Sequence, residues 1–177
     1  MITVISSTNR KGSLSSIVAQ YAFSCFQKES SEVQFLDLAE IPLDFIHEQM
    51  YKTGSVDFHR IQDKYIVDAD KLFFVIPEYN GSFPGILKAF IDACSVRKYK
   101  ESFHGGKKAA LLGISSGRAG NLRGLEHFTG VLNYLQISVM PPNQPLGSID
   151  KIVENGFVVD PDTMKTIENQ VKRFLDY

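Results

Sequence analysis

The chain has 177 residues and a formal net charge of −1; 44% of its residues are hydrophobic and 22% are charged. This is an ordinary globular composition, and near-neutral charge argues against a broad basic surface for nucleic acid or anionic membranes. No apolar run approaches the length of a membrane span, and the N-terminus lacks the basic and apolar regions of a signal peptide. We therefore expect one cytoplasmic domain over residues 1–177, with no nucleic-acid or membrane partner.

The cysteines and histidines give no sign of a metal site. Cys25 and Cys94 fall on apolar faces of predicted helices, which favours buried thiols over a disulfide or a catalytic pair. The histidines are scattered along the chain, and no cluster has the spacing of zinc ligands (His47, His59, His104 and His127). The sequence therefore predicts no bound metal.

Short apolar runs alternate with helix-period segments along the chain. Strands are predicted at Ile2–Ser6, Val33–Leu38, Lys71–Ile76, Lys108–Ile114 and Ile137–Met140. Helices are predicted at Ser13–Lys28, Val56–Val67, from Pro84 as the first helical residue, Leu122–Leu135, and from Asp160 or Pro161 to Leu175. The alternation predicts an α/β domain with helices on both faces of a parallel sheet. Five strands suit the doubly wound order 2-1-3-4-5.

Two connecting stretches are predicted to be irregular. Residues 39–55 contain Phe45, Ile46, Met50 and Tyr51, which is more apolar surface than a solvated connection needs. Residues 141–156 are rich in proline, glycine and asparagine, and we expect them to wrap the surface of the domain.

Ligands of doubly wound sheets bind beyond the carboxyl ends of the strands, which selects three loops here. The first loop follows the first strand, where Thr8, Arg10, Ser13 and Ser15 bring hydroxyls and a cation to a helix N-terminus. That setting favours a phosphate. The alternative is a plain turn in which Ser13 or Ser15 caps the helix. The loop matches neither the P-loop nor the dinucleotide-binding pattern.

The second loop, Pro77–Gly85, contains two prolines and two glycines, so its backbone is stiff and can approach a flat ligand closely. Backbone N–H groups from Tyr79 to Gly81 are available to the polar edge of a ring, and Tyr79 offers an aromatic wall. Alternatively the segment is a turn in which Ser82 caps the next helix, a role that is compatible with binding.

The third loop, residues 115–120, is small and polar, and its G-x-S-x-G pattern (Gly113, Ser115 and Gly117) resembles the nucleophile elbow of hydrolases. His127 is the only histidine after Ser115, and the only acid between them is its neighbour Glu126. Adjacent helical residues point about 100° apart, so these groups cannot align as acid, histidine and serine. We reject the hydrolase interpretation.

Two motifs together carry a family resemblance. The chain resembles the NAD(P)H-dependent FMN reductase family in the motif S-x-T-N-R-x-G-S, followed by P-E-Y-N-G-S-x-P-G-x-L-K-x-x-I-D. The likeness runs from the first strand through Pro141. It implies a flavodoxin-like, three-layer α/β/α fold, non-covalent FMN, and a homodimer or homotetramer with the flavin near a subunit interface. It also implies a ping-pong reaction in which NAD(P)H reduces the flavin and a small acceptor, such as a quinone or free flavin, takes the electrons.

The resemblance assigns the site residue by residue. Thr8, Arg10, Ser13 and Ser15 would hold the FMN phosphate. The isoalloxazine ring would lie against the second and third loops, at Pro77, Glu78, Tyr79, Asn80, Gly81, Ser115, Ser116 and Gly117. No catalytic acid or base is assigned, because the flavin carries the chemistry.

Some features depart from the family pattern or stay open. Lys11 stands where the family commonly has a proline, and Leu14-Ser15 stands where it often has an asparagine. Arg118 would serve NAD(P)H, a subunit contact or solvent. Residues 39–55 would either pack locally or cover the flavin of a partner subunit.

The sequence leaves two alternative functions open. One is an electron-carrying flavodoxin, against which the near-neutral charge and the lack of T-x-T-G-x-T spacing both count. The other is a flavin-free binding module with the same fold.

Overall fold

The computed structural model describes residues 1–52 and 54–177. In chain order the strands are β1 (Ile2–Ser6), β2 (Val33–Asp37), β3 (Lys71–Pro77), β4 (Lys108–Ile114), β5 (Ser138–Val139), β6 (Gln144–Leu146), β7 (Val153–Glu154) and β8 (Phe157–Val158). The helices are α1 (Leu14–Glu29), α2 (Val56–Gln62), α3 (Gly85–Cys94), α4 (Tyr99–Phe103), α5 (Leu122–Tyr134), α6 (Ile149–Ile152) and α7 (Pro161–Asp176). A π-helical turn, Asp63–Val67, continues α2.

The main sheet has the order β2-β1-β3-β4-β5, and its strands are parallel. This confirms the predicted doubly wound topology. The sheet has one addition, because β6 also pairs in parallel with β4, beyond the point where β5 ends. Strands β7 and β8 form a separate antiparallel pair.

Each face of the sheet carries its own apolar cluster. Phe74 lies on one face, where its ring centroid is 5.0 Å from that of Phe128. Its neighbour Phe73 lies on the other face, 5.2 Å from Phe26 and 6.0 Å from Phe174. Successive residues of a strand point to opposite faces of the sheet. Because helices cover both faces, both sets of side chains in β3 are buried, which explains its continuous apolar run.

The fifth strand position is split between β5 and β6. The predicted strand Ile137–Met140 narrows to Ser138–Val139 beside Lys108 and Ala109, and the chain rejoins β4 at Gln144–Leu146. Pro141 and Pro142 lie between the two pieces, and neither has an N–H for a sheet ladder.

The prediction that residues 141–156 merely wrap the surface was therefore wrong. The stretch contains β6, α6 and β7, and it buries Leu146, Ile149 and Ile152. These side chains complete the same apolar cluster that Phe73 enters.

Helix starts follow the capping residues. Ser13 caps α1 and Asp160 caps α7, with Pro161 as the first residue of that helix. The prediction for Pro84 was wrong by one residue. Its ψ of 140° is extended, and its carbonyl accepts the N–H of Leu87, so Pro84 is the N-cap and α3 begins at Gly85.

Residues 39–52 and 54–55 divide into buried and exposed side chains. Phe45 is 2% exposed, and its ring centroid lies 4.5 Å from that of Phe58, so it packs locally. Leu43, Ile46 and Tyr51 are exposed. Thr53, which falls in the same predicted loop, lies outside the described residues.

Both cysteines are unpaired and buried, as predicted. Burial raises the pKa of each thiol above its usual range. None of the helices in the described part of the chain combines the length and apolarity needed to cross a bilayer.

Candidate functional site

The first loop leaves β1 beside β3 and leads into α1. Ser7 donates its N–H to the carbonyl of Val75 at 3.1 Å, which keeps the chain at the carboxyl edge of the sheet. Ser7 and Thr8 are buried, whereas residues 9–12 are exposed. Gly12 has a φ of +66° and no heavy atom within 4 Å of where a Cβ would stand, so the loop turns here with open space around it.

Serine side chains occupy the first turn of α1. Ser13 Oγ accepts the N–H of Ser16 at 3.2 Å and lies 3.1 Å from Ser15 Oγ. Ser16 differs, because its hydroxyl donates to Asp37 Oδ2 at 2.9 Å. The first turn contains no acidic residue, and the first N–H groups of a helix have no intrahelical acceptor. This end of α1 therefore presents N–H and O–H donors with a favourable dipole for an anion.

The second loop is a tight two-residue turn. Tyr79 and Ser82 exchange backbone hydrogen bonds, 2.9 Å from Tyr79 N to Ser82 O and 3.1 Å from Ser82 N to Tyr79 O. Asn80 and Gly81 lie between them with φ values of 51° and 79°. These bonds do not involve the N–H groups of the two central residues, which remain available to a ligand.

A hydrogen bond joins the first two loops. Tyr79 Oη lies 2.7 Å from Thr8 Oγ1, and Thr8 Oγ1 also accepts the N–H of Arg10 at 3.3 Å. The sequence predicted ligand contacts for Thr8 and Tyr79 but not this link, because the two residues are 71 positions apart.

Ser82 does not cap α3, as the alternative interpretation had it, since Pro84 occupies that position. Its hydroxyl lies instead 3.0 Å from His127 Nδ1 on α5.

The third loop uses its own hydroxyl internally. Ser115 Oγ donates to the carbonyl of Gly117 at 2.9 Å, while the Ser115 N–H donates to Leu146 O at 3.1 Å. Ser115 bonds to Gly117 and His127 bonds to Ser82, so Ser115 and His127 are not paired with each other. This agrees with the rejection of the hydrolase interpretation. Arg118 is exposed and makes no ion pair within the described chain.

The three loops surround a cleft of about 220 Å³ at the carboxyl edge of the sheet. Residues predicted for the site supply most of its lining: Arg10, Ser13, Ser15, Pro77, Glu78, Tyr79, Ser115 and Ser116. The other predicted residues adjoin it. Thr8 bonds to Tyr79, Asn80 and Gly81 form the turn, and Gly117 bonds to Ser115.

The cleft also has walls that the sequence did not indicate. Leu14, Ile114, Ile149 and Asp150 complete the lining. Ile149 and Asp150 begin α6, in the stretch predicted to be irregular, and Ile149 N donates to Ser115 O at 3.1 Å. A short helix that follows a three-residue strand leaves no periodic signal in a sequence, so only the fold shows that it reaches the cleft.

A larger groove of about 590 Å³ lies between α3 and α5. Its lining is partly apolar, from Ile91, Val131 and Leu135, and partly polar, from Lys88, Asp92, Ser95, Tyr99, His127 and Tyr134. The side chain of Tyr134 is 81% exposed, which leaves an aromatic ring in solvent beside the groove. Ile91 and Leu135 are themselves 2% and 5% exposed, so the apolar surface that the groove presents to solvent comes chiefly from the ring of Tyr134.

Comparisons with known proteins agree with this geometry. A family model described as NADPH-dependent FMN reductase matches residues 1–150. The chain is 33% identical over 177 residues to a 2-hydroxy-1,4-benzoquinone reductase of a Burkholderia species, covering 98% of this chain and 93% of that relative. It is 34% identical over 176 residues to an NAD(P)H-dependent FMN reductase of Pseudomonas aeruginosa, covering 95% of this chain and 89% of that relative.

Solved structures resemble the fold. FerB of Paracoccus denitrificans, a flavoenzyme NAD(P)H:(acceptor) oxidoreductase, matches with a TM-score of 0.79 at 23% identity, over 99% of this chain and 95% of its own. A flavodoxin from an archaeon matches with a TM-score of 0.66 at 11% identity, over 99% of this chain and 97% of its own. At these identities the two likenesses establish the flavodoxin-like fold.

Proposed function

The chain belongs to the NADPH-dependent FMN reductase family, and from that membership we propose that the cleft between the three loops binds FMN and that the electrons pass to a quinone. The family is one of oxidoreductases with FMN as cofactor, NAD(P)H as co-substrate and a small molecule as acceptor. Those expectations from the sequence are confirmed. The roles of individual residues and the identity of the acceptor are our proposal.

The observation that carries the proposal is the convergence of three separate loops on one cleft with two different ends. The end at α1 has Ser13 and Ser15 hydroxyls 3.1 Å apart, the exposed Arg10 side chain and the first N–H groups of a helix. Arg10 makes no ion pair within the described residues, so its guanidinium is available to an anion. These donors fit a phosphate monoester.

The other end of the cleft fits a flat heteroaromatic ring. Pro77 and Tyr79 give it apolar surface, and the turn at Asn80 and Gly81 presents backbone N–H donors. Because flavin bound here would accept two electrons from NAD(P)H and pass them to the acceptor, donors at the pyrimidine edge would stabilise the negative charge of the reduced ring. The role of the chain is to bind, orient and supply these donors.

The size of the cleft indicates that FMN would be only partly enclosed. Pockets for drug-sized ligands usually measure about 300–1,000 Å³, and this cleft measures about 220 Å³. Part of the ring would stay accessible to NAD(P)H and acceptor in turn, as a ping-pong reaction requires. A quinone is the acceptor we favour, because a relative that is 33% identical over nearly the whole chain reduces 2-hydroxy-1,4-benzoquinone by name.

Anaerobic mixing of FMN-loaded protein with NADPH, and separately with NADH, tests the proposal. We expect the oxidised flavin absorbance to disappear with at least one nicotinamide and to return when a benzoquinone is added. Flavin that stays oxidised with both nicotinamides would contradict a reductase and favour an electron carrier. Flavin that is reduced but not reoxidised by benzoquinone would contradict only the acceptor.

We further propose that the groove between α3 and α5 is the contact face of a homodimer. Support comes from its size and from the exposed Tyr134 beside it. Exposed Leu43, Ile46 and Tyr51 would then be candidates to cover the flavin of the partner subunit. Sedimentation of the wild type and of the variant Tyr134→Glu tests whether this groove is the dimer contact. A dimeric wild type and a monomeric variant are expected, whereas dimers of both would place the contact elsewhere.

Residues 151–177 follow the family match, and we propose that they belong to the same single domain, 1–177. Phe174 and Ile167 of α7 are buried in the cluster that also holds Phe26 of α1.

A cytoplasmic location is also proposed, supported by two unpaired, buried cysteines. Cell fractionation would test the location.

A further inference from the structure

Ser82 and His127 attach the second loop to α5. Ser82 Oγ lies 3.0 Å from His127 Nδ1. The following residues of both segments also meet, since the ring centroids of Phe83 and Phe128 are 5.2 Å apart. Neither Ser82 nor His127 lines the cleft itself. One side-chain hydrogen bond and one aromatic contact thus fix the end of the loop on the helix.

Ser82 is also half of the tight turn that faces the ligand. Its backbone N–H and carbonyl both pair with Tyr79, and only Asn80 and Gly81 separate the paired residues. Both central residues have left-handed φ values. Glycine adopts this conformation freely, whereas a residue with a side chain, here Asn80, does so at a steric cost. Because the turn is so short, the position of Ser82 sets the direction of the two central N–H groups.

The turn is thereby held at two points. Tyr79, at one end, bonds to Thr8 of the first loop, and Ser82, at the other end, bonds to His127. The first attachment joins two segments that both belong to the predicted site. The second attachment comes from a helix that supplies no lining residue to the cleft, so it calls for a separate explanation.

We propose that His127 is a positioning residue, which acts through Ser82 to aim the N–H groups of Asn80 and Gly81 at the polar edge of the flavin ring. This inference rests on the proposed function, because it needs FMN in the cleft. Donors stabilise developing charge only when their direction is fixed before the reaction. Loss of either partner would leave this end of the turn held by the Phe83–Phe128 contact alone, so the direction of the two N–H groups would be less tightly fixed.

The test uses Ser82→Ala, His127→Ala and the double variant, each loaded with FMN. Because a freed turn would have to be re-aimed when FMN binds, we expect FMN binding up to roughly 10-fold weaker in each single variant, with the net value of one hydrogen bond as the upper limit. The double variant should be no weaker than the singles, because all three lack the same bond. The visible circular dichroism of bound FMN and its reduction potential should change alike in all three.

Two further variants separate positioning from general damage. His127→Asn places an amide near the position of Nδ1, so it should restore the wild-type dichroism and affinity. Glu126→Ala removes an exposed neighbour on the same helix and should match wild type. Ser82→Ala deletes a single oxygen, so it keeps the test usable even if His127→Ala folds poorly.

The outcomes distinguish this inference from the proposed function. Wild-type protein that binds no FMN would overturn both. Wild-type protein that binds FMN, with Ser82→Ala and His127→Ala indistinguishable from Glu126→Ala in dichroism and potential, would overturn the positioning role alone. Additive losses in the double variant would overturn it as well, since the two residues would then act separately.

Discussion

The phenolic oxygen of Tyr79 lies 2.7 Å from Oγ1 of Thr8, a side chain that is only 1% exposed. Thr8 Oγ1 also accepts the N–H of Arg10. A hydroxyl has one hydrogen to donate and two lone pairs to accept with. If Tyr79 is the donor, Thr8 keeps its own hydrogen for a phosphate oxygen. Thr8 can therefore donate to a phosphate only if Tyr79 is the donor in the link between the loops.

Removing this link should weaken cofactor binding without removing any contact to the ring. Tyr79→Phe is expected to lower FMN affinity by up to roughly 10-fold, with the value of one hydrogen bond as the upper limit. Thr8→Val should lower it further, because this change also removes the hydroxyl that we propose bonds to the phosphate. Quenching of FMN fluorescence during titration measures the affinity. Tyr65→Phe, on the π-helical turn, is the control and should bind as wild type does. Unchanged affinity in Tyr79→Phe would show that the link does not organise the site.

Gly124 and Gly130 lie on the same helix, α5, but in different surroundings. A Cβ on Gly124 would overlap the side-chain amide of Asn121, which is fully buried and donates to the carbonyl of Ile76 at 3.0 Å. A Cβ on Gly130 would meet no atom within 4 Å. Gly124→Ala should therefore lower the free energy of unfolding by about 1–3 kcal/mol. Gly130→Ala should raise it by about 0.5–1 kcal/mol.

Urea denaturation followed by circular dichroism measures both changes. The pair controls for helix propensity, because the same substitution is made twice in one helix. Gly124→Ala protein as stable as Gly130→Ala would mean that Asn121 can move aside at no cost, against the account of its buried hydrogen bond.

The hydrogen bonds of Asp160 at the start of α7 should make the stability of the fold depend on pH. Its Oδ2 accepts the Thr163 hydroxyl at 2.6 Å and the Thr163 N–H at 2.9 Å, and these two bonds hold the pKa of Asp160 below its ordinary value. A carboxyl whose pKa is depressed by folding stabilises the fold above its unfolded pKa, about 3.9. That stabilisation is lost as pH falls through the folded-state pKa.

Asp160→Asn should therefore be less stable than wild type at neutral pH, and the difference should shrink as the solution is acidified below the carboxyl pKa. Thermal unfolding across this range is the measurement. Asp162→Asn, in the same helical turn, is the matched control. A stability difference that stays constant into acid would contradict the capping account.

The sequence predicts the central strands best. The bounds of β4 agree with the prediction at both ends and those of β3 at its start, because apolar runs covered on both faces are ended by polar or turn-forming residues. The Ser13 cap was also readable, since a serine before an apolar helical stripe has a local physical role. These features depend on neighbouring residues alone.

Features that depend on residues far apart in the chain could not be predicted from the sequence. Strand β6 contains a proline and only three residues, and it forms because the carboxyl half of β4 needs a partner after β5 ends. Ser82 and His127 are 45 positions apart, and no spacing rule connects a turn to a helix surface. The same holds for Asp150, which reaches the cleft only through the strand before it.

The most direct test of the account compares FMN with riboflavin, which has the same ring but no phosphate, in the variant Arg10→Ala/Ser13→Ala. The account predicts that FMN affinity falls by roughly one to two orders of magnitude, because charge-assisted contacts to the phosphate are lost, while riboflavin affinity stays at the wild-type value. Lys11→Ala, an exposed neighbour paired with Glu40, should bind FMN normally. Equal FMN affinity in the double variant, or equal losses for FMN and riboflavin, would contradict the assignment of the phosphate to the start of α1.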